Sequence, residues 1–401
     1  KVDALRCGLD ARGWYDYGSQ CQRLLETGYS LSDYERGEPL PFDLAKAHEL
    51  YRDLFGGIED LIQDKHLLVV PSGPLTKLPL HVLLTAEPPM GDRGGAADYS
   101  TVPWLVRRQP ITVLPSVTAL KGLRTAATAQ QPTRSFIGFG NPLLSGPDGQ
   151  DRRAWQFQTC PREPATGIRQ QLASAMQYIP VLSLLFRSSL ADIRELRRQM
   201  PLPETADELC MIARRLGAPK EDVWLGERAT ERNLKHLNAN GELAKYKVLH
   251  FATHGLVAGD LTGLAEPALI LTPPDEASAE DDGLLTASEV AELDLAAEWV
   301  VLSACNTAAG QGGDAEALSG LARAFFHAGA RALLVSHWGV NSHAAVKLAI
   351  TAFAALADRR AFGRAEAMRQ AMLSMIESGN PIEAHPSNWA PFVVVGEGSG
   401  G

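Results

Sequence analysis

Apolar residues along this chain follow two different rhythms. From Phe42 to Ile62 they recur near helical spacing (Leu44, Ala47, Leu50, Leu54, Ile58, Leu61, Ile62), which predicts a helix and makes residues 1–60 a helical segment. Beyond it come short apolar runs bounded by turn residues. They are His66 to Val70 (meeting Pro71-Ser72-Gly73-Pro74), Ile111 to Leu114, Ser135 to Phe139, Asp222 to Leu225, Val248 to Thr253, Val300 to Ala304, Arg331 to Ser336 and Phe392 to Val395. Runs of this length predict buried strands. Amphipathic stretches at Thr118 to Arg124, Asp207 to Leu216, Glu316 to Ala328, Ser342 to Leu356 and Arg364 to Ile376 predict helices, as does a Thr230-capped start at Glu231. Strands alternating with such helices predict an α/β fold with a mostly parallel sheet flanked by helices. Residues 86–101 read as a surface loop, 126–134 as a linker and the stretch between the His254 and Cys305 strands as a long loop, while 143–200 are irregular and polar with helical stretches. The resulting division is 1–60, 61–132 and 133–398.

Two of the strands stop at residues capable of chemistry. Val248-Leu249-His250-Phe251-Ala252-Thr253 runs into His254-Gly255, and Val300-Val301-Leu302-Ser303-Ala304 runs into Cys305-Asn306-Thr307. In open α/β sheets ligands bind beyond the carboxyl ends of strands. A His and a Cys delivered there are a candidate base and nucleophile. A thiol needs a base or a positive neighbour to become thiolate, and its tetrahedral intermediate needs hydrogen-bond donors. Small residues around Cys305 leave room for a substrate backbone, and the N–H groups of Gly255 and Cys305 are candidate oxyanion donors. Taken singly, a Cys after an apolar strand is most often an inert core residue, and a lone His a hydrogen-bonded one.

Composition narrows the alternatives. The chain has 401 residues and a net charge of −9, which argues against a general nucleic-acid binder. No apolar run approaches the roughly 18 to 20 residues needed to cross a bilayer. The start at Lys1, without Met, reads as a fragment or processed form whose targeting signal lies outside it. Gly310-Gln311-Gly312-Gly313 lacks the Lys-Ser/Thr of a phosphate-binding loop, so nucleotide binding has no support and no cofactor is implied. His250 and His254 with Cys305 raise a zinc alternative, but residues four apart on a strand lie about 13 Å from each other, too far for one ion. His250 therefore reads as a core residue. His337 ends another strand at the same edge and reads as structural. Five cysteines (7, 21, 160, 210, 305) leave compartment open between cytoplasmic and periplasmic or secreted. In a secreted protein they suggest the pairs Cys7–Cys21 and Cys160–Cys210 plus one free thiol; in the cytoplasm, five reduced thiols.

Several strings resemble the CHAT domain, a family of the caspase-like cysteine peptidases that also include separase, legumain and gingipain. They are Val248 to Gly255, Gly283 to Val290, Val301 to Thr307, Gly320 to Phe325, Ser336-His337-Trp338 and Asn388 to Phe392, with Val69 to Leu75 and Leu78 to Leu80 upstream. The resemblance covers roughly residues 60–398. It implies a His–Cys dyad with His254 as base and Cys305 as nucleophile. Their interval, 305 minus 254 or 51 residues, agrees with the caspase spacing of about 50. Ser-Ala-Cys-Asn-Thr replaces the caspase Gln-Ala-Cys-Arg-Gly, which puts Asp specificity in doubt. The resemblance also implies that residues 61–132 can form a degenerate caspase-like half, and that tetratricopeptide-type repeats or a regulatory partner outside this chain gate the site.

The expected function is thus a cysteine endopeptidase acting on protein or peptide substrates. Expected substrate contacts are Asp282, Asp314, Glu316, Ser336 and Trp338, the acidic ones favouring a basic side chain. The rival readings are a non-catalytic interaction scaffold of the same fold and a thiol acyl-transferase or transpeptidase on the same dyad.

Overall fold

The computed structural model describes residues 1–88, 98–125, 131–161, 191–258, 264–303, 320–339, 341–358 and 362–399. Its strands are β1 (Leu67–Val69), β2 (Ile111–Val113), β3 (Arg134–Gly140), β4 (Val223–Leu225), β5 (Tyr246–Ala252), β6 (Gly255–Leu256), β7 (Ala268–Ile270), β8 (Leu284–Thr286), β9 (Trp299–Ser303), β10 (Ala332–Ser336) and β11 (Phe392–Gly396). Eight of them form one sheet in the order β1-β2-β11-β10-β9-β5-β3-β4. Every neighbouring pair is parallel except β10 with β11. The fold is therefore the expected α/β type with a mostly parallel sheet.

Period-two alternation sorts these strands onto two faces. Val301, Leu334 and Val394 enter one core with Leu209, Leu348, Phe353 and Met372 from the helices. Val300, Leu302, Leu333, Val335, Val393 and Val395 enter the other with Leu321 and Phe325. Burial on both faces is why the runs are continuously apolar. Each such side chain contributes roughly 1.5–3 kcal/mol on leaving water.

The helices Glu204–Arg215 and Ser342–Asp358 cover the first face and Gly320–His327 the second. The cap at Thr230 forms as expected, its Oγ1 accepting from the Asn233 N–H at 3.2 Å. The expected helix over 42–62 breaks instead into Leu44–Phe55 and Glu59–Ile62, with Gly56-Gly57 between them. The N-terminal helical segment packs on the larger core through Leu5, Leu50 and Tyr51, and β1 and β2 extend the same sheet. Among the described residues no helix is long and apolar enough to cross a membrane.

One expectation fails outright. The stretch read as a long loop after His254 contains β6, β7 and β8, a small antiparallel sheet, and the helix Ala287–Ala291. Strands of two or three residues are too short to display an alternation. The helix does carry a legible start signal, a capping box between Thr286 and Glu289.

Candidate active site

The register of the sheet brings the two chemical strand ends together. β5 and β9 are parallel neighbours, and Ala252 pairs with Ser303 at the last rung. His254 lies two residues beyond Ala252. Cys305 lies two residues beyond Ser303 and falls outside the described residues, as do Asp314 and Glu316.

His254 is held from both sides. Its carbonyl accepts the Ile270 N–H at 2.9 Å, and Thr253 Oγ1 donates to the Ile270 carbonyl, so the strand end is clamped to β7. The imidazole Nε2–H donates to the Met200 carbonyl at 2.7 Å. That bond selects the tautomer whose Nδ1 carries the free lone pair. Burial holds the imidazole below its ordinary pKa, against the opposing pull of the Met200 carbonyl and Glu204. A neutral ring with an available nitrogen is what a general base near neutral pH requires. Met200 was not legible as a site residue, because it acts through its backbone. The one hint is Pro201, which restricts the residue before it to extended conformations.

Gly255 opens β6 opposite Leu269. Because the adjoining ladder bond runs from the Ile270 N–H to the His254 carbonyl, Gly255 occupies a non-hydrogen-bonded rung. Its N–H therefore points away from β7, on the open side of the hairpin.

The remaining expected contacts are placed differently. The Asp282 carboxylate accepts the N–H groups of Ala191 and Leu284, both at 3.0 Å, while its own N–H donates to Glu231. It organises its loop. Ser336 is buried at the end of β10. Trp338, expected as a substrate contact, is only 1% exposed; its Nε1–H donates to the Ser387 carbonyl and the Arg6 guanidinium lies over its ring at 5.1 Å. That placement makes it a packing residue, which a loop residue flanked by His337 and Gly339 did not announce. His337 is buried too, and burial pushes its pKa down to about 3, with Arg6 and His81 adding to the effect.

His250 stands apart from His254 and takes a different partner. Its ring is fully buried with Nε2 at 2.9 Å from the Glu208 carboxylate. The cysteines outside the strand end form two disulfides, Cys7–Cys21 and Cys160–Cys210. The second ties residues before 162 to the helix that follows Met200.

A family model described as the CHAT domain matches residues 44–397. Tetratricopeptide repeat protein 28 of Mus musculus is 29% identical over 227 residues, covering 49% of this chain and 9% of that protein. The Homo sapiens protein of the same name is 28% identical over 230 residues, covering 49% and 8%. The chain thus spans less than a tenth of the length of these relatives. Among solved structures, the Arg-specific cysteine proteinase gingipain R aligns with a TM-score of 0.42 at 10% identity, over 96% of this chain and 76% of that one. A complex of the pro- and mature domains of Porphyromonas gingivalis RgpB aligns at 0.40 and 10%, over 96% and 77%. The family match runs across nearly the whole described sheet, from the helix before β1 to the end of β11, and the chain belongs to the CHAT domain family.

Proposed function

We propose that this chain is a cysteine endopeptidase in which His254 is the base and Cys305 the nucleophile. The observation that carries the reading is the Ala252–Ser303 rung between adjacent parallel strands, which each residue follows by two positions in the sequence. The neutral, carbonyl-anchored imidazole of His254 and the outward N–H of Gly255 support it. In the reaction, His254 Nδ1 takes the Cys305 thiol proton and the thiolate attacks the scissile carbonyl. The N–H groups of Gly255 and Cys305 bind the oxyanion. The imidazolium then protonates the leaving amine, and water, deprotonated by the same ring, releases the acyl-enzyme. Asp314 and Glu316 supply negative charge for a basic side chain on the acyl side of the bond. In the whole protein, tetratricopeptide-type repeats or another regulatory partner gate the site; the names of the relatives support that context. The two disulfides favour an oxidising compartment.

The test is labelling by an acyloxymethyl-ketone peptide with Arg or Lys next to the warhead. Wild type should be modified at Cys305, with Cys305→Ala unlabelled and His254→Ala slowed by at least about 100-fold. Equal labelling of wild type and Cys305→Ala overturns the assignment. A ligated rather than hydrolysed peptide product would move it to acyl transfer.

A further inference from the structure

Glu208 is an anomaly on its helix. It shares the inward face of Glu204–Arg215 with Thr205, Leu209 and Ile212, and it is fully buried. Its Oε1 lies 2.9 Å from His250 Nε2, at ion-pair distance but without the straight geometry of a hydrogen bond, and His250 Nδ1 has no hydrogen-bond partner. Its Oε2 accepts from Ser303 Oγ at 3.4 Å. A buried carboxylate–imidazole pair with contacts this loose is replaceable as a pair by apolar side chains of similar total volume at little cost in stability. Stability does not explain the residue. Its position does.

His250 lies on β5 four residues before His254. Ser303 ends β9 two residues before Cys305. Glu208 itself sits eight residues after Met200, on the helix that starts at Glu204, four residues after the carbonyl that orients His254. One carboxylate thus touches both strands that lead to the proposed dyad and sits on the helix that follows the Met200 segment. The helix has little freedom to drift on its own. A Cβ added at Gly138 or Gly140 of β3 would come within 2.8 or 2.7 Å of Leu209, so helix and strand are in close contact. The Cys160–Cys210 disulfide ties it to the segment before residue 162. Phe136 of β3 and Phe353 of the helix Ser342–Asp358 flank the His250 ring, with centroids 6.1 and 6.2 Å away.

We propose that Glu208 is a positioning residue for His254, a carboxylate that locks the ends of β5 and β9 and the Met200 carbonyl into one register. It touches no substrate; it acts through His250, Ser303 and the backbone that joins its helix to Met200. The inference rests on the reading of His254 as the base. Misplacing a reacting group by about 1 Å costs on the order of 100-fold in rate.

Glu208→Leu and Glu208→Gln test it, with Ser303→Ala as a variant that breaks the contact to β9 alone. Glu208→Leu strands the buried His250 ring and should lower the melting temperature, yet the folded fraction should still lose about 10- to 100-fold in the labelling rate, with the probe's saturation constant changed less than about twofold. Glu208→Gln should fall between, and Ser303→Ala should lose a few-fold. The second readout needs no turnover: ring 15N shifts of His254 should report the Nε2–H tautomer in wild type and a mixture in Glu208→Leu. An unchanged tautomer, or a rate loss that only follows the unfolded fraction, overturns the proposal. Wild type that never labels, with a tautomer that still responds to Glu208→Leu, overturns the peptidase reading and leaves the positioning role standing.

Discussion

Removing the Cys160–Cys210 disulfide should cost more than removing Cys7–Cys21, for a reason that can be worked from chain length. The two bridges close intervals of 50 and 14 residues. The chain-entropy relation, with its logarithmic dependence on loop size, then assigns about 4 kcal/mol to the longer and about 3 kcal/mol to the shorter at 25 °C. Their surroundings widen the contrast. Cys210 stands in the main core on the helix beneath His254, so its release loosens structure on which the whole sheet depends. Cys7 and Cys21 belong to a small separate cluster with Trp14 and Leu40, whose loss frays the N-terminal segment. The assay is urea unfolding of the paired variants Cys160→Ala/Cys210→Ala and Cys7→Ala/Cys21→Ala, with native-state hydrogen exchange to locate the change. The first pair should lose about 4 kcal/mol, with protection falling along Glu204–Arg215 and β3. The second should lose protection only before residue 43. Equal costs, a larger cost for the Cys7–Cys21 pair, or four free thiols in protein purified without reductant would refute the reasoning.

Three further outcomes follow from buried groups and tight turns. His81, His337 and His385 are buried, with pKa values pushed down to about 4, about 3 and about 4 by loss of solvation. Below about pH 6.5 the unfolded chain therefore binds up to three more protons than the folded one, so stability present above that pH falls by as much as about 4 kcal/mol per pH unit near pH 5. Urea midpoints measured from pH 7 to 5 should show that slope, and His81→Leu should remove about a third of it. Gly329→Ala should destabilise by roughly 2–4 kcal/mol in thermal unfolding, since φ is +109° and a Cβ would strike the Leu295 carbonyl; a loss under about 1 kcal/mol would contradict the geometry. Labelling of the proposed dyad should fall steeply as pH drops through the depressed pKa of His254, at a lower pH than for an ordinary histidine.

Much of the fold was legible because burial leaves a local record. Leu249, Phe251, Val300, Leu302, Leu333 and Val335 are apolar because both faces of the central strands are covered, and that run length distinguishes them from the helices around them. The chemistry at strand ends was legible in the same way, as a His and a Cys standing where two such runs stop. Short strands left no such record: β6, β7 and β8 are made by their pairing, and nothing in two or three residues announces it.

The sequence by itself determined the longer strands and helices, the class of the fold and the family, and it offered His254 and Cys305 as candidates for basic and nucleophilic chemistry. Only the tertiary structure decided that β5 and β9 are neighbours in a register that levels Ala252 with Ser303, and that β11 runs against β10. It also decided what surrounds His254. The Met200 carbonyl is 54 residues away in the chain, and the Ser303–Glu208 contact spans 95. A backbone carbonyl looks the same at every position of a sequence, and a glutamate on an apolar helix face is only an oddity until its partners appear. Local pattern records whether a residue is buried; which distant group it meets there is settled by how the helices lie on the sheet.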